Sequence, residues 1–169
     1  MKRSILLLSI VLLAGLLTQA VSQDSYIRAG IDSVNAVLKA NPYYDGFNEI
    51  AFNYTVNITN ERELVVEMNF DGPFKWIYKA KIDDLELNLR NEPCRESPSS
   101  VCWVCKKNET GVPGNCIQAE MLMTDGGSQK ENASNICISF SAKGGICNNI
   151  YTSLNRLMTN VMNSNRQIQ

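Results

Sequence analysis

The amino-acid sequence predicts an α+β fold: an N-terminal helix, a curved antiparallel sheet of about six strands, and a C-terminal helix packed on the same apolar sheet face. Three observations carry this. Apolar residues recur at helical spacing near both ends of the chain, and between those ends they alternate with polar residues at period two. Nothing between the strand-like runs could serve as the helical crossovers that a parallel sheet needs.

The first 22 residues read as a signal peptide rather than part of the fold. Lys2 and Arg3 precede an apolar run from Ile5 to Leu17, and Ala20-Val21-Ser22 places small residues where a signal peptidase cuts. The apolar core is about 13 residues, short of the ~20 that cross a bilayer. Cleavage would leave 23–169 as a single secreted domain with no membrane span and would take the formal charge from −1 to about −3. A mildly acidic chain without a basic tract is not expected to bind nucleic acid.

Asp24-Ser25 offers a helix start, and Ile27, Ile31, Val34 and Leu38 follow on one face until Asn41-Pro42 stops the helix. Gly30, inside it, suggests close packing. Period two then takes over. Ile50, Phe52, Tyr54, Val56 and Ile58 alternate with Asn53, Thr55 and Asn57; Leu64, Val66, Met68 and Phe70 repeat the pattern; Asp71-Gly72-Pro73 turns the chain into Phe74, Trp76, Tyr78, Ala80 and Ile82. The alternation slips by one residue at Asp83-Asp84 before Leu85, Leu87 and Leu89, which predicts a bulge, with either a bent strand or two strands meeting at a corner. Residues 91–100 read as loop. Val101–Lys107 and Cys116–Thr124 read as a hairpin around 108–114, Asp125–Ser134 as a surface loop, and Ile136, Ile138 and Phe140 as a last short strand. Ile146, Ile150, Leu154, Leu157 and Val161 line a C-terminal helix.

All six cysteines, Cys94, Cys102, Cys105, Cys116, Cys137 and Cys147, fall in 94–147, an even number suited to an oxidising compartment. Fifteen pairings are possible. Proximity in sequence favours Cys105 with Cys116 across the expected hairpin, Cys137 with Cys147, and Cys94 with Cys102. Cys102-Trp103-Val104-Cys105 has the spacing of a redox dithiol, but in a strand its two cysteines face opposite sides, which favours a structural role. Four N-x-[ST] sequons, at Asn53, Asn57, Asn108 and Asn132, fit export and glycosylation.

The chain has no histidine, which excludes Ser-His-Asp and Cys-His catalysis and imidazole metal sites. Asp83-Asp84 is the one adjacent acidic pair in a strand context, and neighbouring strand residues point to opposite faces. The expectation is therefore a binding protein, with no catalytic residues, no metal and no cofactor.

Dimensions suggest where binding would occur. Six strands at ~4.8 Å span about 29 Å, whereas two helices side by side cover about 20 Å. The sheet must curl around the helices or leave part of its apolar face to something else. Phe52, Tyr54, Met68, Phe70, Trp76, Tyr78, Met121 and Met123 would line that part, aromatic and methionine side chains suited to a small hydrophobic or lipid ligand. The outline is similar to secreted lipid-binding proteins in which a sheet wraps long helices. It is also similar to cystatin-type protease inhibitors, which pair a helix with an antiparallel sheet. Their Gln-x-Val-x-Gly loop is absent, with Asp71-Gly72-Pro73 at the turn, and the C-terminal helix departs from their pattern. That second resemblance implies an extracellular protein partner.

Overall fold

A computed structural model describes residues 25–45, 50–70, 72–88, 99–141 and 145–164. The expected signal peptide and Cys94 lie outside the described residues, as do 91–98 of the expected 91–100 loop, whose last two residues, Ser99 and Ser100, instead begin a strand.

Helix α1 covers residues 25–40 and buries Ile31, Val34 and Leu38, three of the four positions its apolar spacing singles out. Asn41 ends it by donating from its backbone N–H to Leu38 O at 3.1 Å and from Nδ2 to Val37 O at 2.9 Å. Among the described residues nine strands follow: β1 (Tyr43–Asp45), β2 (Ile50–Ile58), β3 (Glu63–Phe70), β4 (Phe74–Lys81), β5 (Leu85–Asn88), β6 (Ser99–Cys105), β7 (Ile117–Met123), β8 (Ser128–Ala133) and β9 (Asn135–Phe140). Helix α2 (Gly145–Ser164) closes the order. It buries Cys147, Ile150, Leu154, Leu157, Met158 and Val161, whereas Ile146, expected on the apolar side, is 50% exposed.

The α+β prediction holds, with an antiparallel six-stranded sheet ordered β1-β2-β3-β4-β7-β8. A second sheet, β5-β6-β9, was not anticipated. Its origin is a line of bends across three neighbouring strands. β4 continues into β5 through a single 3-10 turn, Ile82–Asp84, and β8 continues into β9 through Ser134. β6 continues into β7 through an excursion over 106–116. The neighbours β4, β7 and β8 thus become β5, β6 and β9, in the same spatial order, beyond the line. Backbone hydrogen bonds stitch it: Lys106 N–H donates to Asp84 O and Cys105 N–H to Ser134 O, both at 2.8 Å.

Three expectations change at this line. The slip at Asp83-Asp84 is a 3-10 turn at a corner and not a bulge. The hairpin expected from β6 and β7 does not form, because β6 pairs with β5 and β9 while β7 pairs with β4 and β8. Part of the expected 125–134 loop is strand β8, whose side chains are nearly all exposed and so carry no apolar alternation to reveal it.

The cysteines follow the same geometry. Cys105 and Cys116 are joined across the 106–116 excursion, as expected, with Cα atoms 5.7 Å apart. Cys102 is bonded to Cys137 and not to Cys94, because β6 and β9 place the two directly opposite each other, Cα atoms 4.1 Å apart. Cys137 is therefore unavailable to Cys147, which is buried and disulfide-bonded in its own right. The C-x-x-C cysteines do face opposite sides, Cys105 into the core and Cys102 to the outer face of the second sheet.

Beyond the fold line the second sheet doubles back over the first. Tyr44 N–H donates to Ser141 Oγ at 3.1 Å, and the Tyr54 hydroxyl is hydrogen-bonded to Ser139. One core collects Val56, Val66 and Leu64 from the large sheet, Trp103, Ile138 and Phe140 from the small one, and the buried stripes of both helices. The helices touch where a Cβ on Gly30 would stand 3.2 Å from Leu157 Cδ1.

Two polar residues fasten the helices to the sheet. β1 pairs with β2 only as far as Phe52, so β2 has a bare backbone edge beyond it. Asn35 of α1 closes that edge: Val56 N–H donates to Asn35 Oδ1 at 2.7 Å, and Asn35 Nδ2 donates to Val56 O at 2.8 Å. The side-chain amide thus does for Val56 what a neighbouring strand would do. Arg62, at a left-handed φ of 62° in the β2–β3 turn, donates from Nη1 to Val161 O at 2.7 Å near the end of α2. Its Nη2 lies 3.0 Å from Asp83 Oδ1 at the corner.

Replacing Asn35 with Ala leaves two part-buried backbone groups unpaired, and urea unfolding should show a loss of about 2–4 kcal/mol. A loss no larger than that of exposed Ser33→Ala would show that the edge needs no closure. Non-reducing peptide mapping should recover Cys102 with Cys137 and Cys105 with Cys116; a Cys137–Cys147 peptide would contradict the register of β6 and β9.

Candidate ligand-binding face

The inner face of the six-stranded sheet is read in cross-strand rows. One row runs Val56–Val66–Tyr78–Ala119–Glu131 and the next Tyr54–Met68–Trp76–Met121–Gln129. Farther from the fold line, Tyr43, Phe52 and Phe70 are aligned, and Phe74 stands opposite Met123. All eight residues singled out from the sequence therefore share one face of one sheet, brought there by the strict alternation of β2, β3, β4 and β7.

Burial along this face is graded. Near the fold line Leu64, Ala80 and Ile117 are sealed. Away from it Met68, Phe70, Trp76 and Met121 are half-buried and Met123 is 38% exposed. Tyr54 departs from this group: it is 7% exposed and belongs to the core, because Ser139 of the second sheet lies against its hydroxyl. The second sheet reaches the β1–β2 side and leaves the outer parts of β4 and β7 partly uncovered. The site is thus an open ledge beside the core.

The ledge is built of touching rings. Tyr43 stacks on Phe52 with centroids 5.6 Å apart, Phe52 lies 5.3 Å from Phe70, and Phe70 meets Phe74 edge-on at 4.4 Å. Trp76 and Tyr78 lie 6.0 Å apart and within 17° of parallel. Ring pairs of this kind hold their side chains in place beyond what burial alone supplies, so the surface is preformed. Burial pushes the Tyr78 phenol above its ordinary value, helped by the negative fields of Tyr54 and Glu131. Burial raises Tyr54 as well, against the opposing pull of its hydrogen bonds to Ser139.

The outer face of the same sheet has a different character. Lys75 pairs with Glu67 and Lys130 with Glu120, each at 3.5 Å. The sequon residues Asn53, Asn57 and Asn132 project from this face, and Asn108 sits in the excursion at the fold line; all four are exposed. Two grooves lined by described residues lie away from the ledge. One is on the outer face between Lys79, Glu120 and Asn132, and the other runs between the helices beside Gly30, Arg156 and Leu157.

The acidic pair Asp83-Asp84 is exposed at the corner, and the Asp83 carboxylate is held by Arg62. Among the described residues no group of three or more His, Cys, Asp or Glu is placed to hold a metal ion, and no helix is long and apolar enough to cross a membrane. Sequence reasoning missed Glu131 as a neighbour of the ledge, since β8 read as loop. Comparison with known proteins finds no family model, no curated protein and no solved structure that matches this chain.

A phenol whose value is raised by folding contributes stability that is intact below the ordinary value near 10 and lost as pH rises through the folded value. Thermal stability should therefore fall as pH climbs past 10. Tyr54→Phe should lower stability near pH 8 by about 1 kcal/mol, the worth of one hydrogen bond, and should flatten the alkaline decline. An unchanged alkaline profile would show that Tyr54 ionises equally well in both states.

Proposed function

We propose that this chain is a secreted, glycosylated and disulfide-bonded binding protein, without catalytic activity, whose inner sheet ledge takes a small hydrophobic or lipid-like ligand. The supporting observation is the gradient of burial along one continuous face. The same alternation that seals Leu64 and Ile117 carries on into Trp76, Met121 and Met123, where the cover ends. Contiguous apolar surface of this kind is uncommon on a monomeric protein unless something binds there. Methionine adds a deformable, polarizable lining that tolerates differently shaped ligands.

Export fits the rest of the molecule. The two cross-links that staple the bent half of the sheet persist in an oxidising compartment. The exposed sequon residues on the outer face place any glycans on the side opposite the ledge, where they would not obstruct a ligand.

Protein secreted from a eukaryotic host should begin at Gln23, carry N-glycans that peptide-N-glycosidase releases, and bind an uncharged fluorescent hydrophobic probe. Trp76→Ala should weaken that probe at least tenfold while the circular-dichroism melt stays close to the parent. Equal binding by parent and variant would exclude the ledge as the site.

A further inference from the structure

Charge on the large sheet is segregated by face. The outer face mixes both signs, with Lys75, Lys79, Lys81 and Lys130 among Glu63, Glu67 and Glu120. Across the inner-face positions of the six strands only Asp45 and Glu131 are charged among the described residues, and both are acids. Asp45, on β1 at the far edge, has a partner of its own. Glu131 is exposed on β8 and forms no ion pair with a described lysine or arginine.

Its position is specific. Glu131 stands in line with Ala119 and Tyr78, so only the methyl group of Ala119 separates the carboxylate from the phenol ring, two strands or about 10 Å away. Trp76 lies stacked beside that phenol. An apolar floor of methionine and phenylalanine therefore leads to two ring faces and then to the Glu131 carboxylate. Ring faces and a carboxylate attract the same kind of group, a weakly hydrated cation such as a quaternary ammonium. An anionic head group would meet the field of Glu131 with no cation among the described residues of this face to offset it.

We infer that the ledge selects an amphipathic cation, with its hydrocarbon body on Phe70, Phe74, Met121 and Met123 and its positive head between the Trp76–Tyr78 rings and Glu131. This rests on the proposed binding function and adds to it the class of ligand. The carboxylate supplies the sign preference, the rings supply contact with the methyl groups of the head, and the open β8 edge lets the head remain partly hydrated.

The test uses the secreted, oxidised protein and three probes of equal chain length: decyltrimethylammonium and decyl sulfate below their micelle concentrations, and decanol below its solubility limit. Calorimetric titration should rank the ammonium at least tenfold tighter than decanol and decyl sulfate weakest. Glu131→Gln should bring the ammonium close to decanol and leave decanol unchanged, whereas Glu120→Gln on the outer face should change neither. Raising the salt should weaken the ammonium alone. If all three probes bind alike and Glu131→Gln has no effect, the cation preference is overturned while the apolar ledge survives. If none binds, or if Trp76→Ala leaves all three unaffected, the ledge fails as a binding site and the inference fails with it.

Discussion

The structure depends on three neighbouring strands bending at a common line. A bend in one strand alone would tear the ladder on either side of it, because each backbone group at the bend would lose its partner. Here the 3-10 turn after β4, the cross-linked excursion between β6 and β7, and Ser134 between β8 and β9 fall side by side. The bonds from Lys106 to Asp84 and from Cys105 to Ser134 keep the ladder satisfied through the corner. With that in place, the second sheet can lie over the first, and both helices complete a core that neither sheet could close by itself. The ledge is what remains where the fold-over runs short.

Much of this was legible in the sequence, and the parts that were not share a cause. Strict alternation identified β2, β3 and β4 and the face shared by Phe52, Met68, Trp76 and Met121, because half-buried strands reveal themselves by period two. The 3.6-residue spacing identified both helices. Pairing between strands is a long-range property, so the division into two sheets stayed hidden. The run from Val101 to Thr124 looked like a hairpin because its halves are close in sequence and bracket turn residues. The disulfide partners of Cys102 and Cys137 were misassigned for the same reason: opposition across β6 and β9 leaves no trace in local spacing. β8 escaped notice because water meets nearly all of its side chains. Asn35 looked like any polar helix residue, and only the bare edge of β2 gives it a role.

The candidate site illustrates how a single sheet can serve two purposes. Its sealed end contributes to stability through residues such as Leu64 and Ile117, and its open end keeps large side chains at the surface. The rings there touch one another, so the exposed surface is already ordered before anything binds, which lowers the conformational entropy that binding must overcome. Lysines on the opposite face are matched with glutamates in part, while on the inner face Glu131 forms no ion pair with a described lysine or arginine. The proposed binding surface and the scaffold are therefore continuous along the same strands, and a change in how far the second sheet folds over would alter both.

The links that close this molecule join distant parts of the chain. Tyr44 meets Ser141 across 97 residues, and Arg62 holds Val161 across 99. Such closures are slow, since a long loop must be brought together before any contact rewards it. A chain emerging from its amino end would present β2 to β4, with their rings bare, well before α2 exists to cover the inner side. The nascent protein thus passes through a stage that is stickier than the finished one, and a folding assistant that shields strands until the last helix arrives would matter more here than in a protein whose contacts are local.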